Sequence, residues 1–171
     1  MRRRMKVHRV HLNLFTGLMM LLACAPKNDD MNTAETNKQQ VRSFFQAIEA
    51  EDASLIADHF AANGTHVNPY HSELFPVGAE GKEGVENYWK PVFPNFDGMQ
   101  FEIHQLLATE DPNLVFTEYT GKIKLKGNAG YYTNHYFSTF RFDGEGKITE
   151  YIEIFNPITA AKAFGLADQI K

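Results

Sequence analysis

Residues 130–157 read GYYTNHYFSTFRFDGEGKITEYIEIFNP, a pattern that predicts two long strands joined by a tight hairpin. Residues 131–142 are rich in aromatic, Thr and Ser side chains, and residues 148–155 alternate β-branched or aromatic with polar side chains, as half-buried strands do. The Asp143-Gly144 pair between them favours a tight turn, because glycine tolerates the positive φ that such turns need. Pro157 cannot extend the ladder and ends the second strand.

Glu153, in the second strand, is the best candidate for chemistry. A period of two places it between the aromatic side chains of Tyr151 and Phe155. The opposite face is then expected to carry Ile148, Glu150, Ile152 and Ile154. Such a carboxylate either faces solvent on a curved sheet or lies in an aromatic-lined cavity, where loss of water raises the pKa of a carboxyl and suits it to proton transfer. Periodicity alone leaves both interpretations open.

The C-terminal half resembles a known family. Four segments in this half are similar to segments of the phenazine biosynthesis A/B proteins. They are GYYTNHYFSTF, a short hairpin ending in GKI, the stretch E-I-F-N-P and a helix ending in FGL. Those are small dimeric members of the SnoaL-like, nuclear transport factor 2-like superfamily. The similarity spans about Phe44 to Ile170 and is strongest from Thr109 to Leu166. The resemblance implies that the glutamate of the E-x-x-N-P segment, here Glu153, lies in the pocket as an acid/base residue.

Two positions depart from that family. The pocket histidine that the family carries on its third helix falls on Tyr88, and the basic residue of its second helix falls near Ile56 and Ala57. We therefore expect the pocket to be kept and its chemistry to differ from the condensation of a ketone with an amine.

The order of the remaining elements predicts an α+β fold. Thr36 and Gln39 form a plausible capping box before an amphipathic helix. Its expected inward residues are Val41, Phe44, Phe45 and Ile48. Further helices are predicted over 52–61 and 81–92, a short strand from residue 65, and long strands over 99–107 and 113–125. Together with the resemblance, this order indicates a cone-shaped nuclear transport factor 2-like fold, in which a curved antiparallel sheet and three N-terminal helices enclose a pocket.

Four other residues are candidate companions of Glu153. Tyr88 and Trp89 share a helix face that should roof the cavity, where Trp89 either stacks on a ligand or fills the core. Asn134 and His135 point to opposite faces of their strand, and the family motif contains both. His135 is therefore a candidate catalytic residue, with a structural histidine as the alternative. Asn134, Tyr88, Trp89, Tyr151 and Phe155 are candidate ligand-binding residues.

No cofactor or metal is expected. His59, His66 and His71 gather in one region, but their spacing across a proline-containing turn matches no familiar metal site. We interpret them as histidines at the pocket mouth or on the surface.

The N-terminus has the layout of a bacterial lipoprotein signal. Residues 1–23 comprise a basic cluster followed by a mostly apolar run, and Ala23 precedes Cys24, the one cysteine of the chain. Cys24 is then expected to be lipidated, the alternative being an ordinary signal peptide with an incidental cysteine. Residues 24–35 are predicted to be a tether and residues 36–171 the domain, held in the bacterial envelope at the outer membrane, facing the periplasm.

The charge of the chain limits its partners. The formal net charge is −4, and removal of the five basic residues of the signal leaves −9. An acidic protein lacks the positive surface that nucleic acid requires and is repelled by anionic lipid, so membrane attachment must come from the acyl chains. The expected partners are a small-molecule ligand and a second copy of the chain, paired through the outer face of the sheet.

Two functions compete at this point. One is an exported, lipid-anchored domain whose aromatic pocket binds a small, cyclic, apolar ligand without reaction. The other is a cofactor-independent isomerase, cyclase or condensing enzyme that uses Glu153 as its acid/base.

Overall fold

The computed structural model describes residues 28–170. In chain order the described elements are α1 (Asn28–Glu49), α2 (Ala53–Asp58), β1 (Phe60–Val67), β2 (Gly78–Glu80), α3 (Gly81–Trp89), β3 (Phe96–Ala108), β4 (Leu114–Leu125), β5 (Tyr131–Phe142), β6 (Ile148–Phe155) and α4 (Pro157–Ala163). The predicted signal peptide, Cys24 and the first part of the predicted tether lie outside the described residues.

The strands form one curved, unclosed sheet in the order β2-β1-β6-β5-β4-β3. Strands β3 to β6 are antiparallel neighbours, and β1 joins β6 in parallel while β2 pairs antiparallel with β1. The α+β prediction is confirmed. The core fills the space between the inner face of this sheet and the helices.

No helix in residues 28–170 has both the length and the apolar character needed to cross a bilayer.

The hairpin of β5 and β6 begins and ends where the sequence predicts. In the turn, the Asp143 carboxylate accepts hydrogen bonds from the backbone N–H groups of Glu145 and Lys147, both at 2.9 Å. Gly146 has a φ of +74°, in the left-handed region that glycine adopts without strain. Local turn chemistry therefore determines the register of this hairpin.

One part of the predicted alternation in β6 is wrong. Phe142 pairs with Ile148 but Arg141 pairs with Glu150, so a bulge occurs at Thr149. The extra residue turns Ile148 inward, where it is fully buried, on the same side as Tyr151.

Helix α1 is longer than predicted. It is already helical at Asn28, so residues 28–35, the last part of the predicted tether, form its first turns. Asp29 and Asp30 in the first turn interact favourably with the helix dipole, and Lys38 pairs with Glu35 at 2.6 Å. The predicted inward face is confirmed. Val41, Phe44, Phe45 and Ile48 are all buried.

Helix α2 is shorter than predicted, because β1 already begins at Phe60 and contains the Asn63-Gly64 pair. A Cβ at Gly64 would lie 2.4 Å from the Ile148 carbonyl oxygen. Glycine is therefore needed at position 64 because β1 and β6 approach each other closely there. Helix α3 also ends earlier than predicted, at Trp89, two residues before Pro91.

Candidate functional site

A cavity of about 690 Å³ lies between α3, α4, the loop before β2 and the inner face of the sheet. Its walls are mostly aromatic and aliphatic, with Trp89, Phe101, Tyr132 and Phe155 among the lining side chains. Glu153 is the one carboxylate among the described lining residues. The volume suits a small organic molecule.

Glu153 lies inside the protein, with 13% of its side chain exposed. Its Oε1 atom accepts hydrogen bonds from the Tyr151 hydroxyl at 2.9 Å and the Tyr119 hydroxyl at 3.1 Å. The solvent-facing interpretation of Glu153 is therefore wrong. Tyr119 belongs to β4 and also lies 3.2 Å from the Ser138 hydroxyl, so two strands besides β6 fix the carboxylate.

The two tyrosines that hold Glu153 act as donors at neutral pH. Burial raises the pKa values of Tyr119 and Tyr151 well above the ordinary value of 10.0, and the negative charge of Glu153 raises both further. Neutral phenol groups can donate to a carboxylate, whereas phenolates would repel it. The hydroxyls thus occupy Oε1, while Oε2 accepts no hydrogen bond from residues 28–170.

His66 lies behind Glu153 and is the residue that the sequence interpretation missed. Its side chain is fully buried, with Nε2 3.6 Å from Glu153 Oε2. The ring stacks on Tyr151 with centroids 4.7 Å apart and on Trp89 at 6.1 Å. Neither ring nitrogen has a hydrogen-bond partner within the described part of the chain. The expectation of a histidine at the pocket mouth or surface is therefore wrong.

The signal for His66 was present but depended on the strand boundary. Gly64, His66 and Asn68 alternate along β1 and its end and are all buried. Had β1 been predicted to begin at Phe60, a period of two would have put the His66 side chain on the inner face with Asn68. Its pairing with Tyr151 across a parallel ladder has no local sequence signal.

The structure places the other predicted ligand-binding residues close to Glu153. Tyr88, Trp89 and Phe155 line the cavity, and Tyr151 lies directly behind the carboxylate. Asn134 is buried on the inner side of β5, where its amide bonds the Tyr132 hydroxyl and the backbone carbonyl of Asn156. Asn134 therefore ties the start of α4 to the sheet.

His135 is a correction. It lies on the outer face of the sheet, opposite to Asn134, with about half of its side chain exposed. Its Nε2 pairs with Glu118 at 2.9 Å, and its ring stacks on His104 at 5.8 Å. Because the sheet separates it from the cavity, His135 cannot share a site with Glu153.

Gly121 widens the inner face below the cavity. It pairs with Asn134 across β4 and β5, and a Cβ there would lie 3.0 Å from the rings of both Phe101 and Tyr136. Each of these lining rings can approach Gly121 so closely only because it has no side chain.

The position of the Glu153 carboxylate suits proton transfer. In residues 28–170 no three His, Cys, Asp or Glu side chains converge in a way that could hold a metal ion. Among the described residues His66 is the one basic side chain within 4 Å of the Glu153 carboxylate, at 3.6 Å. A carboxylate with one free oxygen in an apolar cavity can accept a proton from a bound molecule and return it.

The comparisons with known proteins agree with this geometry. A profile described as a SnoaL-like domain matches residues 41–151. The chain belongs to the SnoaL-like family. No curated protein sequence matches the chain.

Solved structures share the fold. A phenazine biosynthesis-related protein from Pseudomonas aeruginosa is 23% identical, with a TM-score of 0.67 over 81% of this chain and 90% of that chain. The BvnE pinacolase from Penicillium brevicompactum is 13% identical, with a TM-score of 0.69 over 81% and 97%. An LEH-like epoxide hydrolase from M. tuberculosis is 19% identical, with a TM-score of 0.62 over 75% and 89%. At these identities the likeness shows the nuclear transport factor 2-like fold.

Proposed function

We propose that the protein is a cofactor-independent acid/base enzyme that moves a proton on a small, cyclic, mostly apolar ligand, with Glu153 as the proton carrier. The observation that carries the proposal is the asymmetric carboxylate. Two phenol hydroxyls hold Oε1, Oε2 accepts no hydrogen bond from the described residues, and Glu153 lines a mostly apolar cavity. Solved structures of this fold include an epoxide hydrolase and a pinacolase, which supports an enzymatic role for the cavity.

In this proposal each group has a distinct role. Glu153 Oε2 takes a proton from the ligand and returns it to the same or a neighbouring carbon, which is an isomerisation. Tyr119 and Tyr151 spread the carboxylate charge and fix its orientation. His66, which does not line the cavity, is a positioning residue that keeps Oε2 facing the ligand.

The test compares Glu153→Gln with Glu150→Gln, a matched control on the outer face of the same strand. In Glu153→Gln the new side-chain carbonyl can accept both phenol bonds, so folding should be unchanged or slightly improved, since a buried charge without a strong cationic partner costs stability. Exchange of deuterium from D₂O into a panel of cyclic carbon acids, followed by NMR, should fall about 10²-fold or more in Glu153→Gln alone. A clear loss of thermal stability in that variant would mean that Glu153 is structural and would reject the proposal.

Ligand binding without reaction is the second candidate, favoured by the largely aromatic wall of the cavity. In that case wild-type protein would bind members of the panel without exchanging any of them. Glu153→Gln would then leave their affinities unchanged.

We further propose that the domain is exported and lipid-anchored through Cys24, at the outer membrane and facing the periplasm. The support is the basic and apolar pattern of residues 1–23 with Ala23-Cys24 after it. Acyl chains contribute about 0.8 kcal/mol per buried CH₂, so two or more give stable attachment. In cell fractionation, Cys24→Ser should move the protein from the membrane to the soluble fraction. Membrane retention of the variant would reject the lipid anchor.

A further inference from the structure

The cavity and the start of α1 lie at opposite ends of the sheet. At one end, which we call the cavity end, β3 and β5 begin and β4 and β6 end. At the other, which we call the turn end, residues 109–113 and 143–147 form the β3–β4 and β5–β6 turns. With a rise of about 3.4 Å per residue, the 12 residues of β4 separate the two ends by about 40 Å.

The cavity occupies one half of these strands. Its lining residues from β3 to β6 all fall within 96–101, 123–125, 132–136 and 153–155. Asn95 and Lys126, which lie next to β3 and β4 at the cavity end, line the cavity and are exposed. The cavity therefore reaches the surface at this end of the domain.

Helix α1 runs from the turn end to the cavity end. The Asn37 amide donates to the carbonyl of Pro112 in the β3–β4 turn at 3.0 Å. At the other end of the helix, the Glu49 carboxylate accepts from the backbone N–H of Phe101 at 2.7 Å. Residues 28–36 precede Asn37, so about 13 Å of helix continues beyond that turn at a rise of about 1.5 Å per residue. The start of α1 is thus the part of the described domain farthest from the cavity.

The distance from Cys24 to the domain is short. Three residues, 25–27, separate Cys24 from Asn28, the described start of α1. At about 3.6 Å per residue, a chain of this length reaches no farther than about 14 Å. Acyl chains on Cys24 would therefore hold the start of α1 close to the lipid headgroups, while the cavity end is several times that distance away.

Acidic side chains predominate at the turn end. The first turn of α1 and the two sheet turns carry Asp29, Asp30, Glu110, Asp111, Asp143 and Glu145. Arg141, a basic residue nearby, is paired with Asp111 at 3.1 Å. After the five basic residues of the signal are removed, 12 basic and 21 acidic residues remain, a formal net charge of −9. Because anionic lipid repels an acidic surface, the orientation that brings least of the domain to the bilayer is favoured, and that orientation is end-on.

We propose that the turn end faces the membrane and the cavity end points away from it, so that the cavity exchanges its ligand with the periplasmic water and not with the bilayer. This orientation rests on the lipid anchor proposed above and is independent of any reaction at Glu153. The membrane partner of the turn end is an anionic headgroup layer, which the acidic side chains approach without inserting. A ligand must therefore cross water to reach the cavity.

The test places one fluorophore at either end of the lipidated protein. The full chain is expressed and purified from membranes, where acylation of Cys24 leaves an introduced cysteine as the one thiol to label. Glu145→Cys marks the turn end and Ala129→Cys the cavity end, both at exposed positions. Each protein is reconstituted in vesicles of phosphatidylethanolamine and phosphatidylglycerol with an acceptor dye on the headgroups. With a dye pair whose transfer distance is shorter than the domain, energy transfer should be several-fold higher from position 145 than from position 129.

Two results would overturn the orientation. Equal transfer from the two positions would mean that the domain lies along the bilayer, and higher transfer from position 129 would mean that the cavity faces the lipid. If either variant melts below wild type, Glu110→Cys and Asp97→Cys, also at exposed positions of the turn end and the cavity end, replace the pair.

Flotation of the vesicles separates the orientation from the anchor. Cys24→Ser is the control for unanchored protein and should not float with them. Wild-type protein that also fails to float would reject both proposals, whereas protein that floats and shows equal transfer would reject the orientation alone.

Discussion

Each face of β5 carries aromatic side chains and a central polar residue, but the polar groups of the two faces differ in what they do. On the inner face, Tyr132, Asn134 and Tyr136 are buried and joined by hydrogen bonds. On the outer face, His135 is half exposed and pairs with Glu118, and Phe137 is 39% exposed. Asn134 and His135 lie at the centres of the two faces, yet only the inner face meets the cavity.

The difference shows that burial, and not residue type, makes a polar side chain part of a site. A histidine is the more usual catalytic residue, but His135 contacts other exposed side chains and its ion pair is worth little in water. Asn134 cannot exchange a proton, yet its fixed amide determines which way the Tyr132 hydroxyl donates.

The largest expected effect is on alkaline stability, and it tests the inner side. The pKa values of Tyr88, Tyr119, Tyr132, Tyr136 and Tyr151 are all raised by burial. Above pH 10 the unfolded chain releases phenol protons that the folded chain keeps, so stability is full below that pH and falls above it. Each such tyrosine contributes up to about 1.4 kcal/mol of loss per pH unit.

Urea unfolding at a series of pH values from neutral to strongly alkaline measures this loss, and tyrosinate absorbance should appear together with unfolding. Tyrosinate that forms before unfolding, with stability unchanged, would mean that these hydroxyls are not buried as described.

A smaller effect should separate the two neighbours at the centre of β5. Asn134→Ala removes the hydrogen bonds to both backbone groups of Asn156 and one of the two that the Tyr132 hydroxyl accepts, and should cost about 3 kcal/mol. His135→Ala removes an exposed pair and should cost less than about 1 kcal/mol. Chemical denaturation of the two variants beside wild type measures both. Equal costs would remove the distinction between the faces.

The smallest effect on the fold should come from the outer face, where we expect a homodimer. Phe137 stacks on Phe116 at 6.1 Å and pairs with exposed Ile154, so apolar side chains from three strands are adjacent there. Phe137→Asp should give a monomer in light scattering with a nearly unchanged melting temperature. Thr133→Asp, on the same face, is the control and should stay dimeric. A wild-type monomer at tens of micromolar would contradict the prediction.

Local patterns predicted the parts of this molecule that depend on neighbouring residues. The hairpin ends, the buried face of α1 and the aromatic neighbours of Glu153 all follow from periodicity and turn chemistry. His66 and Tyr119 were missed, because each reaches Glu153 through pairing with a strand far away in sequence. The choice between Asn134 and His135 likewise needed the position of α1, which determines the inner face.

Gly121 has a consequence for how ligand size could change in this protein. Gly121 does not line the cavity. The rings of Phe101 and Tyr136 do line it, and they occupy the space that a side chain at Gly121 would need. A single methyl group there would push Tyr136 aside and, through its hydrogen bond, disturb the Tyr132 hydroxyl. Selectivity could thus be retuned from a position that never touches the ligand, and an engineer who wants a different pocket should begin at that glycine.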